Sequence, residues 1–184
     1  MVNDQSLLQE MVSKGIRCAR SSAQNHTSII ENPGLMRGCP AMQKFCRAVQ
    51  SEGRNRLADI VYAWHGTPAA NIPQIFYNGF DPQKRNAKVS RVYFDLFQAG
   101  EFFSSINNPT YSHSYCRGDD YLILTAIMKG SNFKDHGSYH VVNNDISGST
   151  THCLPICAVR VMSQKSAVSF SFIQQNPVAW SFGN

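Results

Sequence analysis

From residue 60 onward the chain is built of short, apolar, β-prone runs with little helical periodicity between them. The runs are Ile60 to Trp64, Gly100 to Phe103, Tyr121 to Met128, His140 to Val142 and Ile156 to Met162. Such runs, bounded by Gly, Pro, Asn and Ser, read as strands. A doubly wound parallel sheet would need a helix between successive strands, and too few helical patterns separate these, so the expected fold class is α+β.

Helical patterns gather at the front. Leu7, Leu8 and Met11 recur at helical spacing, which predicts a helix from Asp4 to about Lys14, with Gly15 ending it. The stretch to Cys39, rich in Ser, Asn, Gly and Pro, reads as a loop. Pro40 to about Ser51 is a second helix, with Met42, Phe45, Cys46 and Val49 on one face. A short third helix is expected over Asn71–Gly79, with Asn71 as cap and Pro73 in its first turn, and a fourth between Pro109 and Cys116.

At 184 residues the chain suits one structural domain: a helical segment, 1–58, packed on a core, 59–184. Hydrophobic residues at 42% and charged residues at 16% exclude a disordered chain. The net charge of +5 is compatible with a polyanionic or phosphate-bearing partner. Its basic residues lie mostly in the first half without forming a run, the pattern of a solvated face. Nothing approaches the roughly 18 consecutive apolar residues of a membrane span. With no apolar secretory leader, the six cysteines are expected to be reduced thiols and the protein intracellular, in cytoplasm or nucleus. Asn25-His26-Thr27 fits a glycosylation sequon, which would act only on a secretory route. His113, Cys116, His136, His140, His152, Cys153 and Cys157 follow no metal-ligand spacing, so no metal is expected.

The segment Tyr62-Ala63-Trp64-His65-Gly66-Thr67-Pro68 ends an apolar strand on an imidazole beside a glycine. A glycine removes the side chain where a ligand could meet backbone N–H and C=O, while His65 and Thr67 add polar groups alongside. Downstream come "GFDP" from Gly79, a loop of about twenty residues, "GEFFS" from Gly100 and "YSHSYC" from Tyr111, then "YLILTAIMKG" and "LPICAVRV".

In this order the segments resemble the catalytic domain of the poly(ADP-ribose) polymerase-like, diphtheria-toxin-type ADP-ribosyltransferases, over about residues 60–162. The resemblance implies two packed, mainly antiparallel sheets with a few flanking helices, and NAD as co-substrate. It implies that His65 donates a hydrogen bond to a ribose hydroxyl, that the backbone of Gly66 pairs with the nicotinamide carboxamide, with Thr67 beside it, and that Ser112 contacts the same amide. Tyr115 would stack on the nicotinamide. Phe102 stands where the family has the tyrosine of a His-Tyr-Glu triad, and Tyr139 where it has the glutamate, with Ser138 and His140 as neighbours. The nearest carboxylates are Asp135 and Asp145. Asp81, Arg85 and Tyr93 would face the adenosine.

A carboxylate stabilises the positive charge of an oxocarbenium-like ribose, and tyrosine carries no formal charge at neutral pH. The resemblance, so altered, implies transfer of a single ADP-ribose to a protein or nucleic-acid acceptor. Its rivals are a silent member binding NAD, ADP-ribose or a protein, and an RNA 2′-phosphotransferase, a related NAD user that would suit a basic chain.

Overall fold

The computed structural model describes residues 4–22, 26–53, 57–85, 100–116 and 121–161. The elements are α1 (Asp4–Ser22), β1 (His26–Glu31), α2 (Pro40–Glu52), β2 (Ile60–Gly66), α3 (Ile72–Asn78), β3 (Glu101–Ser105), α4 (Thr110–His113), β4 (Tyr121–Met128), β5 (Phe133–Asp135), β6 (Tyr139–Val142) and β7 (Cys153–Val161). The strands form one sheet in the order β1-β7-β4-β2-β3-β6-β5, with every pairing antiparallel. The fold class is the expected α+β.

The two expected sheets are joined into one. β2 and β4 pair from Ile60 with Met128 to Gly66 with Leu122, whereas β2 and β3 pair only at Ala63 with Ser105 and Trp64 with Ser104. Beyond that contact the sheet opens into two halves, β1-β7-β4-β2 and β3-β6-β5.

The first half carries the main core. Alternation along β4 sends Leu122, Leu124, Ala126 and Met128 into one cluster, with Met11, Ile16 and Ala19 of α1 and Ala41, Phe45 and Ala48 of α2. Ile123 joins Ile72 and Phe76 of α3 in another cluster. Ile127, Ala63, Phe80, Phe103 and Val142 form a third, which spans the junction of the halves.

Several expectations need correction. α1 continues through Gly15, because a Cβ there would lie 3.0 Å from Tyr62 Cε1 and 3.2 Å from Ile156 Cγ2. That glycine brings the helix close to the sheet and does not end it. The expected loop before Cys39 contains the rest of α1 and the edge strand β1, which pairs with β7, so segment 1–58 is not purely helical. β2 runs through His65 and Gly66, since both still pair with β4. Asn71 makes no side-chain cap; its Nδ2 donates to Thr67 Oγ1 at 3.1 Å. The strand β5, three residues long, was too short for its period to show. Tyr93 and Asn25 lie outside the described residues.

Candidate functional site

Where β2 and β3 part, the hydroxyl of Ser112 stands between them. It accepts from the Ser104 N–H at 3.2 Å and donates to the Trp64 C=O at 2.6 Å, while Ser104 Oγ donates to it at 2.9 Å. A hydroxyl has one donor and two acceptor sites, so these bonds fill Ser112. It acts as a wedge holding the strands apart, and the expected contact with a carboxamide would require one of these bonds to be exchanged.

Residues two apart on a strand direct their backbone N–H and C=O to the same edge. The C=O of Trp64 points at the wedge, so the N–H and C=O of Gly66 point to that same edge, past the last pairing with β3. The glycine is also required by the fold: a Cβ at Gly66 would lie 1.6 Å from the Ser112 carbonyl oxygen and 3.2 Å from Tyr115 Cβ. The molecule that approaches this missing side chain is the protein's own α4, leaving the backbone edge for something else.

That edge opens into a cavity of about 900 Å³. His65, Gly66, Thr67, Phe102, Ser112, Tyr115 and Tyr139 all line it. These seven are the residues that the resemblance singles out, and they line one cavity. Tyr115 is 44% exposed, its ring available to a ligand, and Phe102 and Tyr139 are half-buried. Phe102 and Tyr139 lie with ring centroids 6.4 Å apart and planes at 29°. Thr67 is buried, its hydroxyl accepting from Asn71.

His65 Nδ1 lies 3.0 Å from the Phe102 carbonyl oxygen, and only an N–H can bond there. Its ring sits edge-on to Phe80 at 4.8 Å and tilted to Phe103 at 5.5 Å. Burial lowers its pKa to about 4, against the pull of the Phe102 bond, so the ring is neutral near pH 7. A neutral imidazole with Nδ1 protonated offers Nε2 as an acceptor. In this form His65 can accept a hydrogen bond at Nε2 and cannot donate one from it.

The cavity lining also includes the polar and basic side chains of Lys44, Asn71, Gln74, Lys84 and Arg85. Here the structure reveals a residue that the sequence reading passed over. Glu101 is buried and lines the cavity. Arg85 Nε reaches its Oε1 at 2.9 Å and Nη2 its Oε2 at 3.2 Å, and Asn144 Nδ2 donates to Oε2 at 3.0 Å. The same guanidinium donates to Asn143 Oδ1 at 3.0 Å and to the Asn144 carbonyl at 2.6 Å. Burial pushes the Glu101 carboxyl upward, opposed by Arg85 and Asn144. A glutamate inside the apolar run "GEFFS" was the available signal.

Neither carboxylate flanking Tyr139 lines the cavity. Asp135 turns to His140 Nδ1, 3.1 Å away, and to the Gly137 N–H at 2.8 Å, while Asp145 accepts from the hydroxyl and N–H of Ser147. Asp81 does line it, accepting from the Gln83 N–H at 3.0 Å. Among the described residues no three His, Cys, Asp or Glu side chains gather into a metal-binding group, and no helix is long and apolar enough to cross a membrane.

No protein-family model and no curated protein matches the sequence. Among solved structures, the chain is similar to the crystal structure of the PARP domain of Arabidopsis RADICAL-INDUCED CELL DEATH1. The two are 15% identical over 84% of this chain and 98% of that one, with a TM-score of 0.49.

Proposed function

We propose that the cavity binds NAD and that the chain transfers one ADP-ribose from it to an acceptor, releasing nicotinamide. The observation that carries this reading is the backbone edge of Gly66, left unpaired by β3 and bordered by the rings of Tyr115 and Phe102. An N–H and a C=O side by side complement a carboxamide, and flat rings beside them complement a pyridine. Lys44 and Lys84 on the same lining suit the phosphates. In the transfer, the C–N bond between ribose and nicotinamide breaks with its electron pair going to the ring nitrogen. A bond then forms from the acceptor to the anomeric carbon, and the acceptor's proton passes to water.

His65 would accept from a ribose hydroxyl and hold the sugar still while this happens. Tyr139 stands nearest the slot where a carboxylate would stabilise the developing charge. Without that charge, the acceptor must supply more of the driving force, which favours a single transfer over chain growth.

A second reading has its own support. Among the described residues, the carboxylates on the cavity are Asp81 and Glu101, both engaged by neighbours, and a site with no carboxylate beside the ribose can hold NAD or ADP-ribose without turnover. Calorimetric titration with NAD, followed by chromatographic measurement of nicotinamide release with acceptor extract present, separates the readings. Binding with release, both lost in His65→Ala, is the expected result. Binding without release leaves the silent module, and absence of binding sinks both.

A further inference from the structure

We propose that His152, which does not line the cavity, is a positioning residue for the cavity wall at Arg85 and Glu101, and that protonating its imidazole loosens that wall. The hydrogen bonds around the ring carry the inference, because they fix which nitrogen holds the proton. Asn132 Nδ2 donates to the Asn143 carbonyl at 3.2 Å, and the same amide nitrogen lies 2.8 Å from His152 Nδ1. Facing a donor, Nδ1 must accept. The proton is then on Nε2, 3.2 Å from Glu52 Oε1. The N–H and hydroxyl of Ser131 donate to that same carboxylate oxygen, at 3.4 and 3.1 Å. The cluster is built around a neutral ring.

From this ring a short chain of bonds leads to the cavity. The His152 N–H donates to Asn144 Oδ1 at 2.7 Å, and Asn144 Nδ2 donates to Glu101 Oε2 at 3.0 Å. Arg85 donates to Asn143 Oδ1 and to the Asn144 carbonyl, at 3.0 and 2.6 Å. Asn143 is held from behind by Asn132, whose carbonyl accepts from its N–H at 3.0 Å and whose Nδ2 donates to its carbonyl. Two adjacent asparagines thus join His152 and Asn132 on one side to Arg85 and Glu101 on the other.

A second proton on the ring sets an N–H against the Asn132 amide nitrogen. Two donors at that distance repel, so the amide must turn or the ring must move. Turning brings up Asn132 Oδ1, a buried oxygen without a hydrogen-bond partner among the described residues, but sets it against the Asn143 carbonyl where a donor had been. Either movement disturbs the pair of residues that hold the Arg85 fork. Among the described residues, the charged group acting on the ring is Glu52 of α2. Gly130, Ser131 and Asn132, from the turn after β4, and Asn144, after β6, carry no charge. Burial outweighs Glu52 and holds the His152 pKa below the usual 6.5, so the wall is intact near pH 7 and loosens as pH falls through the lower folded value.

The effect on NAD rests on the binding proposed above, whereas the coupling of His152 to the wall does not. Calorimetric titration of the full chain with NAD, from about pH 7.5 to about 5, should show the affinity falling about fivefold, the low end of ordinary coupling between sites. His65, Glu101 and His140 also have shifted pKa values, so the His152 share is read against His152→Gln. Glutamine can accept from Asn132 and donate to Glu52 but takes no proton, so this variant keeps the parent's affinity at neutral pH and loses most of the fall. Glu52→Gln removes the anion that favours the cation and moves the fall to lower pH. NMR without ligand gives a second readout: the Arg85 Nε–H signal moves with the His152 ring signals on one pH curve and loses that step in His152→Gln. An Arg85 signal indifferent to the His152 titration, or an undiminished fall in His152→Gln, overturns the proposal. Should NAD not bind at all, the Arg85 curve still decides the coupling, so the two readings fail separately.

Discussion

The two halves of the sheet are held together by different physics. In β1-β7-β4-β2, long antiparallel ladders lie between apolar helices, and the interior of β4 and β7 is almost wholly removed from water. In β3-β6-β5 the strands are short, and the apolar cluster at the junction is joined by polar groups: the Ser112 wedge, the His65 bond to Phe102, and the Arg85–Glu101–Asn144 network. The difference teaches that stability and site are kept apart. The cavity lies where apolar packing gives way to directional bonds, which place atoms more narrowly but are costly to leave unmade.

The sharpest way to break this comparison is Arg85→Ala. It leaves Glu101 buried without its bidentate partner, and loss of one member of such a pair typically costs about 3–5 kcal/mol. Denaturant unfolding should report a loss of that size together with weaker NAD binding; a cost near zero would mean that the polar network does not hold the second half in place. Leu124→Ala is the counterpart in the first half. A fully buried leucine there should cost about 2–5 kcal/mol, while the NAD affinity of the molecules that remain folded stays unchanged. A parallel fall in affinity would show that the halves are not separable.

Gly66→Ala acts at the boundary. Its methyl would collide with the Ser112 carbonyl, and an overpacked site of this kind typically costs about 1–3 kcal/mol. α4 must shift, carrying Tyr115 with it, so calorimetry should show NAD binding lost while circular dichroism shows the fold retained. Retained binding would place the ligand elsewhere.

A smaller effect separates the His65 side chain from the rest. Its folded pKa is about 4 against 6.5 for a free histidine. Below pH 6.5 the unfolded chain takes up a proton that the folded ring refuses, so stability is full above that pH and falls as pH drops towards 4. The ring keeps some solvent contact, so this contribution is on the order of 1 kcal/mol. Unfolding curves across that window should be flatter by this amount for His65→Phe than for the parent; identical slopes would remove His65 from the buried set.

The sequence made the first half legible because long apolar runs such as "YLILTAIMKG" leave one economical fate, a buried central strand. His65, Gly66, Phe102, Ser112 and Tyr115 could be named from the sequence because they sit in strands and on or beside a short helix that follow in order, and they line one cavity. The sequence could not show the partners of polar side chains. Glu101 reads as an oddity in an apolar run until Arg85 and Asn144 arrive from 16 and 43 positions away. Gly15 reads as a stop until Tyr62 is seen against it, and nothing local announces the three bonds that hold Ser112 between β2 and β3. Local pattern carried the elements, and distant pairing decided the roles.

The central claim is that the backbone edge of Gly66, held open by Ser112, receives the amide of a pyridine ring. Amide-resolved NMR during a nicotinamide titration tests it most directly. The account predicts that the largest shifts fall on the Gly66 and Tyr115 amides, with the β1 and β7 amides unmoved. Saturable shifts centred elsewhere, with Gly66 unchanged, would contradict it.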